Sequence, residues 1–201
     1  MREGKNGANL APTLWRTCRV LANPDRLRCL KAVLAVPGRT VEDVATVVGL
    51  TEPQTSLALR ALQSRGILSS RRRSRWAHYY PEADASVVAA SQFLSAAKSA
   101  LIDNHMSERE MSNAMRAYTH PRRIAIVRAL AHEDNLQRDE IGSMLGISRE
   151  AMIRHLRKLK TLGVVRLKDE TYSLAKPSSG LAESLRAAPA DARGVADALQ
   201  G

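Results

Sequence analysis

Basic side chains are concentrated at two places in the sequence, and each group has the chemistry to bind a polyanion. Residues 71–75 contain four arginines, whose charges repel one another unless an anion neutralises them. Arg154, Arg157 and Lys158 recur at helical spacing, which places them on one face of a helix. Arginine in such arrays contacts guanine edges or phosphate groups. Both groups therefore predict contact with a nucleic acid.

The composition of the whole chain agrees with an anionic partner. The 201 residues include 31 Lys+Arg against 20 Asp+Glu, a formal net charge of +11. Aromatic residues make up only 3 %, which argues against the base-stacking surfaces of RRM or OB domains. Residues 1–5 precede no apolar signal segment, and polar residues interrupt the apolar stretch 85–102. We therefore expect a cytoplasmic, nucleoid-associated protein with no membrane partner.

The sequence contains no motif typical of an enzyme. A P-loop, a Gly-x-Ser-x-Gly elbow and a His-Glu-x-x-His pair are all missing, so we predict no catalytic residue and no cofactor. Cys18 and Cys29 are too few for a disulfide framework or a thiolate zinc site, and we expect both to be buried. The acidic and histidine residues at 103–105 and 132–134 form no convincing ligand set. The sequence therefore predicts no metal site.

The sequence repeats itself at an offset of 97 residues, from Pro24 to Pro121. Without gaps, this offset pairs 23–27 with 120–124, Gly49-Leu50-Thr51 with Gly146-Ile147-Ser148, and Gly66-Ile67-Leu68 with Gly163-Val164-Val165. Repeats of solenoid proteins are only about 20–50 residues long, so this period indicates a duplicated domain. We predict an N-terminal domain over residues 10–104 and a C-terminal domain over 105–201, each including flanking helices.

Each copy is predicted to contain three short helices followed by a β-hairpin. In the first copy Pro24 opens a helix, Thr40 and Thr51 cap two more, and Gly49 and Gly66 end those two. We expect its strands at 67–70 and 76–80, joined by an arginine-rich turn over 71–75. In the second copy we expect helices near 121–133, 137–145 and 148–162 and strands near 164–167 and 171–174. Flanking helices are predicted over 10–21, 83–102, 107–118 and 180–199.

Two helices joined by a tight turn, the second with a Leu-x-x-Leu pattern, form the helix-turn-helix layout, whose second helix enters the DNA major groove. At this level the sequence resembles the winged-helix repressors of the ArsR and MarR type. Residues 21–30 resemble their opening helix, 148–159 their recognition helix and 75–80 the second strand of their wing. The resemblance covers about residues 10–200. It implies a mainly α fold with small β-hairpin wings, in two tandem winged helix-turn-helix domains whose flanking helices build a dimer interface.

Helical geometry predicts which side of each recognition helix faces DNA. At about 100° per residue, Thr55, Leu59 and Leu62 point into the core. The opposite face of the second helix carries Glu150, Ala151, Arg154, Arg157, Lys158 and Thr161. The predicted DNA contacts are Gln54, Leu57, Arg60, Arg71, Arg72, Arg73, Arg75, Arg149, Arg154, His155, Arg157, Lys158 and Lys168. The first copy would bind mainly by its wing and the second mainly by its helix.

These features predict a sequence-specific transcriptional regulator that binds double-stranded DNA with two non-identical heads. The chain would be a pseudo-dimer by itself, with a homodimer as a further option. One alternative is a sequence-independent nucleoid protein, which the high charge and the arginine-rich wing also fit. A second is a protein-interaction module resembling segregation and condensation protein B, which Leu57, Ala58 and Ala61 on the first recognition helix would suit.

Overall fold

The computed structural model describes residues 14–87, 90–177 and 179–187, which form helices and two small antiparallel sheets. The first elements are α1 (Leu14–Leu21), α2 (Pro24–Ala35), α3 (Val41–Val48), α4 (Glu52–Gln63), β1 (Ser69–Arg73), β2 (Trp76–Tyr80), α5 (Ala90–Lys98) and a π-helical segment (Ser99–Asp103). They are followed by α6 (Glu108–Arg116), α7 (Pro121–His132), β3 (Leu136–Gln137), α8 (Arg138–Leu145), α9 (Arg149–Thr161), β4 (Val165–Lys168), β5 (Thr171–Leu174) and α10 (Gly180–Ala187).

Local capping signals define where the helices begin and end. Asn23 caps α2 by accepting a hydrogen bond from a backbone N–H, and Thr40 and Thr51 form capping boxes at the starts of α3 and α4. Gly49 and Gly146 end α3 and α8 with left-handed φ angles of 68° and 60°. The turns that lead into α4 and α9 therefore have the same backbone geometry. The bounds of α7, α8 and α9 lie within one residue of the sequence prediction.

Each sheet contains a hairpin that follows a helix: β1 and β2 follow α4, and β4 and β5 follow α9. β1 pairs with β2, and Tyr79 of β2 also forms an isolated bridge with Arg39. In the second sheet β5 lies between β4 and β3. Strand β3 is not predicted from the sequence, because its two residues are too few to show an alternating pattern. Its pairing of Leu136 with Tyr172 has the same role as the bridge from Arg39, since both attach the wing to the start of a helix.

A single continuous apolar core runs through the described residues. α1 and α2 pack against α6, and α10 packs against α5 and α6. Lys31 on α2 and Glu108 on α6 form a salt bridge of 2.9 Å across this junction. Cys18 and Cys29 are fully buried and unpaired, as predicted, and burial raises the pKa of both thiols. The elements on the two sides of residue 104 are therefore joined by packing as well as by the chain.

The arginine-rich segment lies mainly in a strand, and the predicted turn over residues 71–75 is wrong. β1 continues through Arg73, so that only Ser74 and Arg75 form the turn, with Ser74 at a φ of 56°. Ile67 and Leu68, predicted as strand residues, are instead buried in the connection that precedes β1. Backbone pairing with β2 holds the arginines extended while their side chains project into solvent, and this pairing overrides the polar composition of the segment.

The flanking helix predicted over 83–102 begins later than the sequence predicts. Residues 83–87 form a turn and an irregular segment, because Asp84 bonds locally to Ser86 and its backbone N–H donates to the carbonyl of Gly66. Helix α5 therefore begins at Ala90 within the described chain, and its last residues pass into the π-helical segment. The predicted helical residues 10–13 and 188–199 lie outside the described residues. The predicted helix over 107–118 is confirmed as α6.

Candidate nucleic-acid interface

Helix α4 faces the core with one side and solvent with the other, as the helical arithmetic predicts. Thr55, Leu59 and Leu62 are fully buried. Gln54, Leu57 and Arg60 are exposed, and Leu57 is the most exposed of the large apolar side chains described, at 67 %.

The polar side chains on the exposed face of α4 bond mainly within their own helix. The Oε1 atom of Gln54 accepts hydrogen bonds from the backbone N–H and the hydroxyl of Thr51, at 3.1 and 2.9 Å. The guanidinium of Arg60 donates from Nε and Nη2 to the hydroxyl of Ser56, at 3.1 and 2.7 Å. The exposed face of α4 therefore places the apolar side chain of Leu57 between two polar side chains that hydrogen-bond locally.

The arginines of the wing formed by β1 and β2 differ in whether they form a salt bridge. Arg71 donates from Nη2 to both carboxylate oxygens of Glu82, at 2.7 and 2.9 Å, and its guanidinium lies 4.5 Å from the ring centre of Tyr80. The salt bridges of the described residues include neither Arg72 nor Arg73, and both are exposed. One cation of the cluster is thus neutralised by the protein itself, which the sequence argument from mutual repulsion did not foresee.

The tip of this wing is cationic and partly apolar. Arg75 is exposed, and its guanidinium lies 4.9 Å from the ring centre of Trp76, which is itself 42 % exposed. By contrast the turn between β4 and β5 consists of Asp169 and Glu170, beside the exposed Lys168. The two wings therefore differ in charge, as the sequence predicts.

Helix α9 presents the second group of basic side chains. Met152, Leu156 and Leu159 are buried against the core. The side chains of Arg149, Arg154, Arg157 and Lys158 are exposed. The spacing predicted from sequence therefore gives a solvent-facing cationic surface on α9.

One residue assigned to this exposed surface is buried. Ala151 is only 3 % exposed, although the helical arithmetic placed it on the outer face. It lies one turn before His155, which is also partly buried, so the packed stripe of α9 is wider than that of α4. The matching position on α4 is Gln54, whose side chain is held at the surface by the capping box.

His155 lies against a second histidine. Its ring centre is 4.6 Å from that of His120, which caps α7 by accepting a hydrogen bond from the N–H of Arg122. Burial, and then the nearby charges of His120, Arg123 and Arg122, lower the pKa of His155 from 6.5 to about 4. His155 is therefore uncharged at neutral pH and contributes packing between α9 and α7. His120 is not among the residues predicted from sequence, although its alignment with the helix cap Asn23 was a usable signal.

The described residues contain neither a metal-binding cluster nor a membrane-spanning helix. No three His, Cys, Asp or Glu side chains in 14–87, 90–177 and 179–187 come together in a way that could hold a metal ion. No helix among these residues combines the length and apolar character needed to cross a membrane.

The comparison with known families matches the segment that contains the basic surface of α9. The family model of the bacterial regulatory proteins of the arsR family matches residues 120–166. The match begins at the cap of α7 and ends within β4, so it includes α8 and α9. No curated protein matches the chain. The similarity supports a winged helix-turn-helix segment of a transcription regulator that binds double-stranded DNA.

We expect the histidine pair to make stability depend on pH. As the pH falls from 6.5 towards 4, the unfolded chain takes up a proton at His155 and the folded protein does not. The free energy of unfolding therefore decreases over this range. Partial exposure screens the effect, and we expect a loss of about 1 kcal/mol. Urea unfolding near neutral pH and near pH 4.5 measures it in the wild type and in His155→Gln.

The glutamine variant should lose less stability than the wild type on acidification, because its side chain does not titrate. His132→Gln, which changes an exposed histidine at the end of α7, is the matched control and should keep the wild-type dependence. An identical pH dependence in His155→Gln and the wild type would contradict this account.

Proposed function

We propose that the protein is a sequence-specific transcription regulator that contacts double-stranded DNA with two non-identical winged-helix heads. The observation that carries this proposal is the cationic face of α9 inside the segment that matches the arsR family. Arg154, Arg157 and Lys158 are exposed on the second helix of the matched helix-turn-helix. In this layout the second helix enters the major groove, where arginine binds guanine edges.

The proposal of a second head is supported by the order and geometry of the N-terminal elements. α2, α3, α4, β1 and β2 follow one another as α7, α8, α9, β4 and β5 do. The turns at Gly49 and Gly146 have the same backbone conformation. In both groups the second hairpin strand pairs with the segment just before the second helix. We therefore propose two winged-helix domains, over residues 10–104 and 105–201.

We further propose that the two heads form an internal pseudo-dimer. The contacts of α1 and α2 with α6, and of α10 with α5 and α6, support this arrangement. The salt bridge between Lys31 and Glu108 lies at the same junction. Heads paired in this way would bind sites about one helical turn, or 34–36 Å, apart. A homodimer of the chain would double the number of heads.

The proposed division of labour follows from the side chains that each head exposes. The first head carries Arg72, Arg73 and Arg75 on its wing and an apolar residue at the centre of α4. The second carries its cations on α9, while its wing ends in an acidic turn. The preferred DNA site should therefore be asymmetric.

We expect the wing arginines to act on DNA phosphates. Arg72→Ala combined with Arg73→Ala should weaken binding to all sequences and reduce the slope of log K against log[salt] by about 0.9 for each lost contact. Fluorescence anisotropy across a salt series measures the slope. Arg109→Ala combined with Arg116→Ala removes two exposed arginines of α6 and serves as the control of equal charge. Equal slopes for the wing variant and the wild type would remove the wing from the interface.

We expect Arg154 to read a base. Fragments selected from a random duplex pool provide the preferred site, and Arg154→Ala should cost about 1–3 kcal/mol of binding free energy on it. The loss on a scrambled duplex should be smaller. Lys160→Ala, at an exposed position of α9 outside the predicted DNA face, is the matched control. Equal losses on both duplexes would mean that Arg154 contacts the DNA backbone and not a base. Equal affinity of the wild type for both duplexes would favour a sequence-independent nucleoid protein.

A further inference from the structure

Leu57 has the highest fractional exposure of the large apolar side chains in the described residues. It lies at the middle of the exposed face of α4 and is 67 % exposed. At the repeat offset of 97 residues it corresponds to Arg154, the central cation of α9. The two helices thus present different chemistry at the same place: an isobutyl group on α4 and a guanidinium on α9.

The neighbours of Leu57 have partners within the protein. Gln54, three residues before it, hydrogen-bonds to Thr51, and Arg60, three residues after it, hydrogen-bonds to Ser56. Both polar side chains thus hydrogen-bond locally, and Leu57 is the large exposed apolar side chain between them. A ligand that approaches the middle of α4 meets a methyl-rich surface first.

The surroundings of α4 favour an anionic partner. Gln63 at the end of α4 donates to the hydroxyl of Ser70 on β1, at 3.0 Å, so the wing is attached to the end of this helix. Arg72 lies two residues beyond Ser70 and projects from the same side of the strand. Arg72 and Arg73 are exposed and outside the salt bridges of the described chain. This complementarity in charge favours DNA over a protein surface as the partner.

We propose that Leu57 reads thymine by packing against its C5-methyl group in the major groove. Thymine is the base that presents an apolar group there, and apolar side chains contact that methyl group. The inference rests on the proposed function, because it assumes that α4 enters the groove. It assigns the first head a preference for thymine at the position where the second head would use Arg154 on guanine.

Two duplexes that differ only in the methyl group test this inference. One has alternating adenine and thymine, and the other has deoxyuridine in place of each thymidine. Burial of one methyl group predicts that the full-length protein binds the thymine duplex about fourfold more tightly. Leu57→Ala should bind the two duplexes with nearly equal affinity. Because Leu57 is exposed, this variant leaves the core intact.

Val47→Ala is the matched control, since it shortens another exposed apolar residue of the same head, on α3. It should keep the fourfold preference. Equal binding of both duplexes by the wild type, or a preference that persists in Leu57→Ala, would overturn the inference and leave the proposed function intact. Failure to bind either duplex at low salt would overturn both, and would direct attention to a protein partner for α4.

Discussion

Burial of one apolar stripe on each of α4 and α9 is the constraint on which the rest of the account depends. Leu59 and Leu62 are fully buried on α4, and Leu156 and Leu159 are buried on α9. Because side chains repeat about every 3.6 residues along a helix, burying this stripe turns the opposite face outwards. The turns that begin with the left-handed Gly49 and Gly146 then set the direction of α4 and α9 relative to the preceding helices. The side chains on the exposed faces of α4 and α9 can therefore differ without changing the packing of the two helices.

That freedom explains how one framework presents two different surfaces. The first group of elements places arginines on an extended wing and an apolar residue on its helix, while the second places arginines on the helix and acids at the wing turn. Electrostatic attraction between the wing and phosphate is independent of base sequence, whereas contacts from a helix in the groove depend on the bases. A protein that combines the two would be held in place by one head and oriented by the other.

Sequence reasoning succeeded where the physical signal is local. Caps, glycine turns and apolar periodicity placed α7, α8 and α9 within one residue, and they placed Thr55, Leu59 and Leu62 of α4 in the core. Ala58, which the protein-interaction alternative used as a contact residue, is buried. Sequence reasoning failed where pairing or packing between distant residues decides the outcome. Backbone pairing with β2 extends β1 through its arginines, and Glu82 forms a salt bridge with Arg71. None of these long-range contacts leaves a periodic pattern in the sequence.

The central claim is that both groups of elements contact one DNA molecule in different ways. Hydroxyl-radical footprinting of the full-length protein on a selected duplex tests it most directly. The account predicts two protected regions about one helical turn apart, 34–36 Å between centres, with unequal patterns because one head binds mainly by its wing and the other by its helix. A single protected region, next to bases that only α9 contacts, would contradict the claim and restrict DNA binding to the C-terminal elements.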